Sequence, residues 1–322
     1  MKIVFHGANA LAFREGFEPL LDGKHEIAEV SDDLFGETSC ALYSAADVIV
    51  GIRLTSTMPI PSSLKLYQVP GAGYDGIDPA VLPAGAALCN CFGHENAIAE
   101  YVMAALLARH VPLADADRRL RKGDWKYWAG GSDGLRTELG ETSIGILGYG
   151  HIGKALAHRA KAFGMRVSIA NRSPVSISEV VDETYTLSNL PAFMGSADAI
   201  VNTLPLTEQT QGLIGAGELA AMRPSAVILN VGRGAVIDET ALYGALKARR
   251  IGGAVIDTWY VYPNAEKPNP LPSRLPFHEL DDVLMTPHMS GWTSGTISRR
   301  QEAIADNINR LASGHDLKNR VL

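Results

Sequence analysis

The sequence predicts an α/β protein of two domains, each built on a parallel β-sheet with helices on both faces. Three observations lead to this fold class. The chain has 322 residues, which is more than a single hydrophobic core usually organises. Short apolar runs alternate with helical stretches along its length, and a glycine-rich turn joins one such run to one such stretch. This alternation is typical of βαβ units, whose strands lie parallel.

The predicted strands are short runs rich in apolar and β-branched residues. In chain order they are KIVFHG (2–7), ADVIVGI (46–52), LKLYQVPG (64–71), SIGILGYG (143–150), RVSIANR (166–172), ADAIVNTL (197–204), SAVILNVG (225–232), GAVIDTW (253–259) and DVLMTPH (282–288). Helical patterns lie between several of them, as in GKALAHRAKAFG (153–164) and DETALYGALKARR (238–250).

Two longer helices are also predicted. Residues 97–109 are apolar on nearly every side, as is typical of a buried helix. Residues 294–312 carry isoleucine and leucine at helical spacing and end before Gly314.

Composition excludes several classes of protein. A formal net charge of −6 argues against a broad nucleic-acid-binding surface. The three cysteines form neither a zinc-binding spacing nor a disulfide framework, so no metal site is predicted. The N-terminal segment lacks a long apolar signal core, and no apolar run reaches membrane-spanning length. We therefore expect a cytoplasmic protein that binds neither nucleic acid nor membrane.

The segment GILGYGHIG (145–153) has the G-x-G-x-x-G spacing that holds a dinucleotide pyrophosphate. In open parallel sheets, ligands bind beyond the carboxyl ends of the strands. The predicted strands end at Gly148–Gly153, Asn171–Arg172, Leu204–Pro205, Gly232–Arg233, Asp257 and His288. One sheet edge would thus hold a phosphate loop, cations, a carboxylate and an imidazole.

The chain resembles the D-isomer-specific 2-hydroxyacid dehydrogenases over nearly its whole length. The motifs that carry the resemblance occur in the order PGAGYDGID (70–78), AIAEYVMAALL (97–107), GILGYGHIG (145–153), LPLTEQTQGLI (204–214), NVGRGAVID (230–238) and TPHMSG (286–291). The resemblance implies a flavodoxin-like substrate domain, residues 1–96 and 294–322, and an NAD(P)-binding Rossmann domain, residues 97–293. It also implies a homodimer that acts on a small 2-oxo or 2-hydroxy acid.

The residue types fit the reduction of a 2-oxo acid. Arg233 can hold a carboxylate with its guanidinium fork, and the resemblance implies that it also polarises the carbonyl. His288 can donate the proton. The backbone N–H groups around Ala72 and Gly73 would bind the carboxylate, and the resemblance implies that Asp257 lies near the nicotinamide.

The predicted cofactor-binding residues lie on the strand ends of the second domain. They are Gly148, Gly150, His151, Ile152, Gly153, Asn171, Arg172, Ser173, Leu204, Pro205, Thr210, Val231, Gly232, Asp257, His288 and Gly291.

The segment Asn171–Arg172–Ser173 stands where NAD-binding domains carry an acidic residue for the adenosine ribose. Without that carboxylate, Arg172 and its neighbours offer a cation and donors to a 2′-phosphate. Asp182 and Glu183 lie further along the chain and are not expected to reach the ribose. We therefore expect NADP to be preferred over NAD.

The segment DTWYVYP (257–263) departs from the family pattern, because Tyr262 takes the place of the glutamate that pairs with the catalytic histidine. A phenol can orient an imidazole, but it gives no electrostatic support to imidazolium. Two alternatives to a glyoxylate- or hydroxypyruvate-type reductase therefore stay open. One is a formate- or phosphite-type dehydrogenase, and the other is a dinucleotide-sensing binding protein.

Overall fold

A computed structural model describes residues 1–264 and 266–322. It divides into two compact units, the first formed by Met1–Gly93 and Trp292–Leu322 and the second by His94–Gly291. The predicted boundaries, after residues 96 and 293, lie three and two residues beyond these divisions. The split arrangement expected from the sequence is therefore close to the one that the structure shows.

The first unit is built on a sheet from the N-terminal segment. Its elements are β1 (Lys2–His6), α1 (Gly7–Leu11), β2 (Glu26–Val30), α2 (Glu37–Ser44), β3 (Val48–Val50), β4 (Leu66–Gln68) and β5 (Ala87–Cys89). Within the described residues, five parallel strands lie in the order β2-β1-β3-β4-β5, with Val4 paired to Ala28 on one side and to Ile49 on the other. This strand order is that of flavodoxin-like sheets.

The second unit contains the larger sheet. Its elements are α3 (Glu95–His110), α4 (Leu113–Leu120), β6 (Ser143–Leu147), α5 (His151–Ala162), β7 (Arg166–Asn171), β8 (Glu183–Thr186), α6 (Leu190–Ser196), β9 (Ala199–Asn202), α7 (Ala216–Ala221), β10 (Val227–Asn230), α8 (Glu239–Lys247), β11 (Gly253–Ile256) and β12 (Val283–Met285). In the part of the chain that is described, seven parallel strands lie in the order β12-β11-β10-β9-β6-β7-β8. The order around β6 is that of a Rossmann sheet.

The C-terminal helix α9 (Ser294–Ser313) returns to the first unit. Ile304 and Ile308 are buried in the same core as Phe13 and the strands β1 and β3. The buried amide of Asn307 donates to Gln68 Oε1 at 2.8 Å. These contacts explain why a sheet made of N-terminal strands needs the last helix of the chain.

Helix α3 confirms the prediction of a buried, apolar helix. Ile98, Val102, Met103 and Leu106 are buried in one core with α5 and the strands β6 and β7. A second core on the other face of the same sheet holds α6, α7 and α8. Helices therefore cover both faces, as predicted for a parallel sheet.

The predicted strands omit β2, β5 and β8, which are all edge strands. The residues of β2 and β8, EIAEV and ETYT, include polar side chains, whereas β5 (ALC) is apolar and buried but has only three residues. In β2 and β8, polar residues interrupt the continuous apolar run that is typical of a central strand.

Among the described helices, no single one is both long and apolar enough to cross a membrane. The bent pair α3 and α4, with 45° between them, meets that criterion only when taken together.

Candidate active site

In the loop between β6 and α5, residues 148–153 (the glycine loop), close contacts explain why two positions are glycine. Gly148 has φ of +97°, and a Cβ there would lie 2.9 Å from Thr203 Oγ1. A Cβ at Gly153 would lie 2.2 Å from the carbonyl oxygen of Gly148. Both glycines therefore allow the loop to pack against its own sheet and helix.

Gly150 differs from these two glycines, because a Cβ built on it meets nothing within 4 Å. Helix α5 starts directly afterwards, and its first helical hydrogen bond runs from Lys154 N–H to the Gly150 carbonyl at 3.0 Å. The N–H groups of the first turn, including those of Ile152 and Gly153, therefore point out of the helix at its positive end. An open surface at a helix N-terminus fits a pyrophosphate, so the residues present match a dinucleotide cofactor.

The next strand end, that of β7, is tied to the glycine loop. Asn171 Oδ1 accepts the Tyr149 N–H at 3.2 Å, and Asn171 Nδ2 donates to the Ser173 carbonyl at 3.0 Å. The Arg172 and Ser173 side chains are exposed. The end of the neighbouring strand β8, which pairs with Asn171, is Thr186 rather than an acidic residue.

Asp182 lies at the amino ends of the strands, at the side of the sheet opposite to the glycine loop. It accepts the Val167 N–H at 2.7 Å and the Lys161 ammonium at 2.9 Å, at the amino end of β7. Burial alone would raise the pKa of Asp182, but these hydrogen bonds hold it below its ordinary value. Glu183 likewise pairs with Arg166 at that edge. Both carboxylates therefore lie at the amino ends of their strands, and that they do not reach the ribose stays a prediction.

Two buried asparagines that sequence reasoning missed lie at the ends of β9 and β10. Asn202 Nδ2 donates to Asn230 Oδ1 at 2.9 Å, and Asn202 Oδ1 accepts the Leu204 N–H at 3.1 Å. Asn230 Nδ2 donates to the Arg233 carbonyl at 3.1 Å. The two amides fix the loops that follow both strands. The sequence signal that could have identified them is an asparagine at the end of each of two consecutive apolar strands, AIVN and VILN.

The predicted residues Leu204, Pro205, Thr210, Val231 and Gly232 lie in those two loops. The buried Thr210 hydroxyl donates to the Pro205 carbonyl at 2.7 Å. A Cβ at Gly232 would lie 2.5 Å from the Leu204 carbonyl oxygen, so the loops pack directly on each other. Val231 is buried beneath them.

Asp257, at the end of β11, is fully buried. Its Oδ1 accepts the Thr286 hydroxyl at 2.6 Å and the Met289 N–H at 2.9 Å, and its Oδ2 accepts the Ser290 N–H at 2.9 Å. The carboxylate therefore holds the loop of residues 286–291 (the histidine loop). Its location near a nicotinamide stays a prediction.

His288 occupies the middle of the histidine loop with φ of +58°. A non-glycine residue in this region is strained, and it persists only where its surroundings determine the conformation. Here the Asp257 bonds to residues on both sides of His288 supply that constraint. The Tyr101 hydroxyl adds a further contact to Thr286 at 2.7 Å.

The imidazole of His288 is oriented by Tyr262, whose hydroxyl oxygen lies 2.9 Å from Nδ1. The same oxygen accepts the Trp259 backbone N–H at 3.0 Å. The Trp259 indole in turn donates to the Thr286 carbonyl at 2.7 Å. The structure thus brings Tyr262 and His288 together, as the sequence predicted.

Arg233 follows β10 and is half-buried. Its Nη1 donates to the Gly232 carbonyl at 3.0 Å. A Cβ on the next residue, Gly234, would lie 2.2 Å from the Trp259 carbonyl oxygen, so the arginine loop packs against the Trp259–Tyr262 segment. Gly291 closes the histidine loop, and a Cβ there would lie 3.3 Å from His94 Cβ.

In the first unit, the predicted carboxylate loop follows β4. The Ala72 carbonyl accepts the side-chain amide of the buried Asn90 at 2.9 Å, and the Gly71 carbonyl accepts the Cys91 N–H at 2.9 Å. Gly73 lies in this pinned loop and is half-buried. Among the residues that the structure describes, no three His, Cys, Asp or Glu side chains form a group that could hold a metal ion.

Comparison with known proteins matches residues 103–290 to the family described as D-isomer specific 2-hydroxyacid dehydrogenase, NAD binding domain. The chain is 32% identical to the glyoxylate reductase of Korarchaeum cryptofilum over 76% of this chain and 72% of that one. It is 31% identical to the D-3-phosphoglycerate dehydrogenase of Archaeoglobus fulgidus over 80% of this chain and 47% of that one.

Solved structures show the same similarity. The D-isomer specific 2-hydroxyacid dehydrogenase from Xanthobacter autotrophicus Py2, in complex with NADPH and MES, matches with a TM-score of 0.79 and 25% identity. The match covers 99% of this chain and 97% of that one. The chain spans about half the length of the phosphoglycerate dehydrogenases that it matches. With the family match, the glycine loop and the shared fold, the chain belongs to the D-isomer specific 2-hydroxyacid dehydrogenase family.

Proposed function

We propose that this protein uses NADPH to reduce a small 2-oxo acid, of the glyoxylate or hydroxypyruvate type, to the D-2-hydroxy acid. The observation that carries the proposal is the conformation of His288. Asp257 and Tyr262 hold this residue at positive φ, at the carboxyl ends of the strands where the glycine loop also lies. Strained conformations that the surroundings maintain are concentrated at functional sites. The bound cofactor supplies the hydride.

The two key side chains have complementary roles. His288 supplies the proton that the carbonyl oxygen needs during reduction and takes it back in the reverse direction. Arg233 binds the substrate carboxylate through its guanidinium fork and polarises the carbonyl. In the first unit, we assign the backbone N–H groups of Ala72 and Gly73 to binding a carboxylate.

We further propose a preference for NADPH. The exposed Arg172 guanidinium and the Ser173 hydroxyl offer donors to a 2′-phosphate at the end of β7. The carboxylates of Asp182 and Glu183 are engaged at the other edge of the sheet, so neither repels that phosphate. Conversely, neither is placed to bind the ribose hydroxyls of NAD.

A cytoplasmic homodimer is the form that we propose. The segment from α4 to residue 138 exposes large apolar side chains, namely Leu113, Leu120, Trp125, Trp128 and Leu135. Exposed apolar residues grouped in this way are typical of an interface, so we assign this segment to the contact with a second copy. The buried, unbridged thiols of Cys89 and Cys91 fit a reducing compartment.

The test is a screen of NADPH and NADH oxidation against a panel of 2-oxo acids, with formate and phosphite assayed in the oxidative direction. Glyoxylate or hydroxypyruvate should be reduced with the highest kcat/KM, and NADPH should be the better donor. Turnover of formate or phosphite alone would support a dehydrogenase of that type instead. Tight cofactor binding with no turnover on any acid would support a dinucleotide-sensing protein.

A further inference from the structure

Two hydrogen-bond contacts at the Tyr262 phenol oxygen bear on where its proton lies. The Trp259 backbone N–H approaches Oη at 3.0 Å, and Nδ1 of His288 lies 2.9 Å from the same oxygen. A peptide N–H can only donate, so Oη is the acceptor in the first bond. An arrangement in which the phenol donates its own hydrogen to Nδ1 of His288 uses both contacts without conflict.

A ring nitrogen that accepts a hydrogen bond carries no proton. In a neutral imidazole the other nitrogen is then protonated, which here is Nε2. A neutral ring with Nε2–H can polarise a carbonyl oxygen, but it is a poor acid unless Nδ1 gains a proton at the same time. Tyr262 is placed to give that proton.

We propose that Tyr262 is the source of the proton in carbonyl reduction and that His288 relays it, an inference that rests on the proposed function. The hydride supplied by bound NADPH adds to the carbonyl carbon, and the π electron pair moves onto the oxygen. That oxygen takes the hydrogen from Nε2. Nδ1 simultaneously takes the phenol hydrogen, so His288 stays neutral and its tautomer changes. The products are the hydroxy acid and the Tyr262 phenolate.

Two features of the site serve the phenolate. The Trp259 N–H already points at Oη, so it stabilises negative charge there without rearrangement. Tyr262 is 44% exposed, so water can return the proton after each turnover. In this scheme Tyr262 acts through His288. The imidazole can therefore give a proton to the carbonyl oxygen without first being an imidazolium.

The titratable and charged groups packed around the pair belong to several elements of the second unit. They include the side chains of Asp257, Tyr101, Arg233 and His94. Asp257 holds Met289 and Ser290, and Tyr101 contacts Thr286. The Arg233 loop packs against Trp259, and His94 lies against Gly291. All four are unchanged in a Tyr262→Phe variant. A difference between that variant and the wild type therefore reports on the phenol hydroxyl.

The kinetic test compares the pH dependence of kcat/KM for 2-oxo acid reduction in the wild type and Tyr262→Phe. Without the phenol, His288 must itself be charged to give a proton, so the alkaline limb should move to lower pH by roughly one pH unit or more in the variant. At alkaline pH the variant should therefore lose at least roughly tenfold more of its kcat/KM than the wild type does. Rates in mixtures of light and heavy water should indicate two protons in flight in the wild type and one in the variant.

The matched control is Tyr260→Phe, which removes a phenol hydroxyl two residues away that lies among Phe277 and its neighbours. Its limb should coincide with that of the wild type. Identical limbs in the wild type and Tyr262→Phe, with a single proton in flight in both, would overturn the relay. Unchanged NADPH affinity in each variant establishes that the fold is intact.

A second readout needs no turnover. The ¹⁵N shifts of neutral His288, identified by comparison with His288→Asn, should show the Nε2–H tautomer in the wild type and a mixture in Tyr262→Phe. A wild-type ring protonated at Nδ1 would overturn the proposal even in an active enzyme. If no 2-oxo acid is reduced, the proposed function fails, whereas the tautomer still decides the direction of the Tyr262 hydrogen bond.

Discussion

The glycine loop and the histidine loop lie at the carboxyl ends of one sheet, but different forces shape them. In the glycine loop, the backbone packs so closely that a Cβ at Gly153 would lie 2.2 Å from a carbonyl oxygen. In the histidine loop, the buried carboxylate of Asp257 collects three hydrogen bonds and maintains a strained residue. One loop is determined by the absence of side chains, and the other by side chains distant in sequence.

This difference predicts how each loop fails. A loop that depends on close packing should tolerate substitution only where space is open. A loop that depends on a buried charge should lose its geometry when that charge is removed, even if the shape of the side chain is kept. The predictions below run from the largest expected effect to the smallest.

Arg233→Lys should cause the largest loss of activity short of removing His288, because lysine keeps the charge but not the guanidinium fork. We expect kcat/KM for 2-oxo acid reduction to fall roughly 100- to 1000-fold, or about 3–4 kcal/mol of transition-state stabilisation. NADPH affinity should hold, since the glycine loop follows a different strand. Steady-state kinetics together with a fluorescence titration of NADPH separate the two effects. A lysine variant with near-normal turnover would remove Arg233 from the mechanism.

Asp257→Asn keeps the shape of the side chain. The donors that face the carboxylate in the wild type would meet either an amide NH₂ group or a neutral oxygen, which is a weaker acceptor. Hydrogen bonds to charged groups contribute about 1.5–3 kcal/mol, so stability should fall by about 2–4 kcal/mol. Activity should fall as well, because His288 is no longer held at positive φ. Urea unfolding followed by circular dichroism measures the first effect. An unchanged midpoint and an unchanged turnover would show that the carboxylate does not maintain the loop.

A pair of alanine variants sharpens the steric half of the comparison. Gly153→Ala forces a Cβ against the Gly148 carbonyl, so it should destabilise the fold by about 1–3 kcal/mol. Gly150→Ala meets open space and should leave the free enzyme nearly as stable, while weakening NADPH binding. Thermal unfolding with and without NADPH distinguishes these outcomes. Equal destabilisation of the two apoproteins would contradict the division of roles between the glycines.

Arg172→Ala should have the most selective effect, because it should weaken the binding of one cofactor and not the other. Loss of a charge-assisted contact costs on the order of 1.5–3 kcal/mol, which should appear in the Kd for NADPH and barely in that for NADH. Isothermal titration with both cofactors is the measurement. Equal weakening of both would place Arg172 away from the 2′-phosphate.

The two loops also show what the sequence can predict. The glycine loop was predicted at its observed place between a strand and a helix, because steric requirements leave a fixed spacing of glycines there. The βαβ rhythm predicted the parallel sheets, and the missed strands β2, β5 and β8 all lie at sheet edges. Local pattern was sufficient wherever local sterics or burial determine structure.

The histidine loop was predicted less completely. His288 and Tyr262 were identified from a resemblance, but the role of Asp257 as the acceptor for Thr286, Met289 and Ser290 was not. Nor was the amide pair Asn202–Asn230, whose members are 28 residues apart. Such contacts form between residues that only the tertiary fold brings together, and no local pattern encodes their distances.

The most direct test of the central claim is a single-turnover reaction of preformed enzyme–NADPH complex with hydroxypyruvate, in the wild type and in His288→Asn. The wild type should transfer hydride rapidly and release the D-hydroxy acid. His288→Asn should bind NADPH with wild-type affinity, yet slow hydride transfer by roughly 1000-fold or more, as expected when a positioned proton donor is lost. Hydride transfer at a near-normal rate in His288→Asn would contradict the assignment of this site to proton-coupled reduction of a carbonyl.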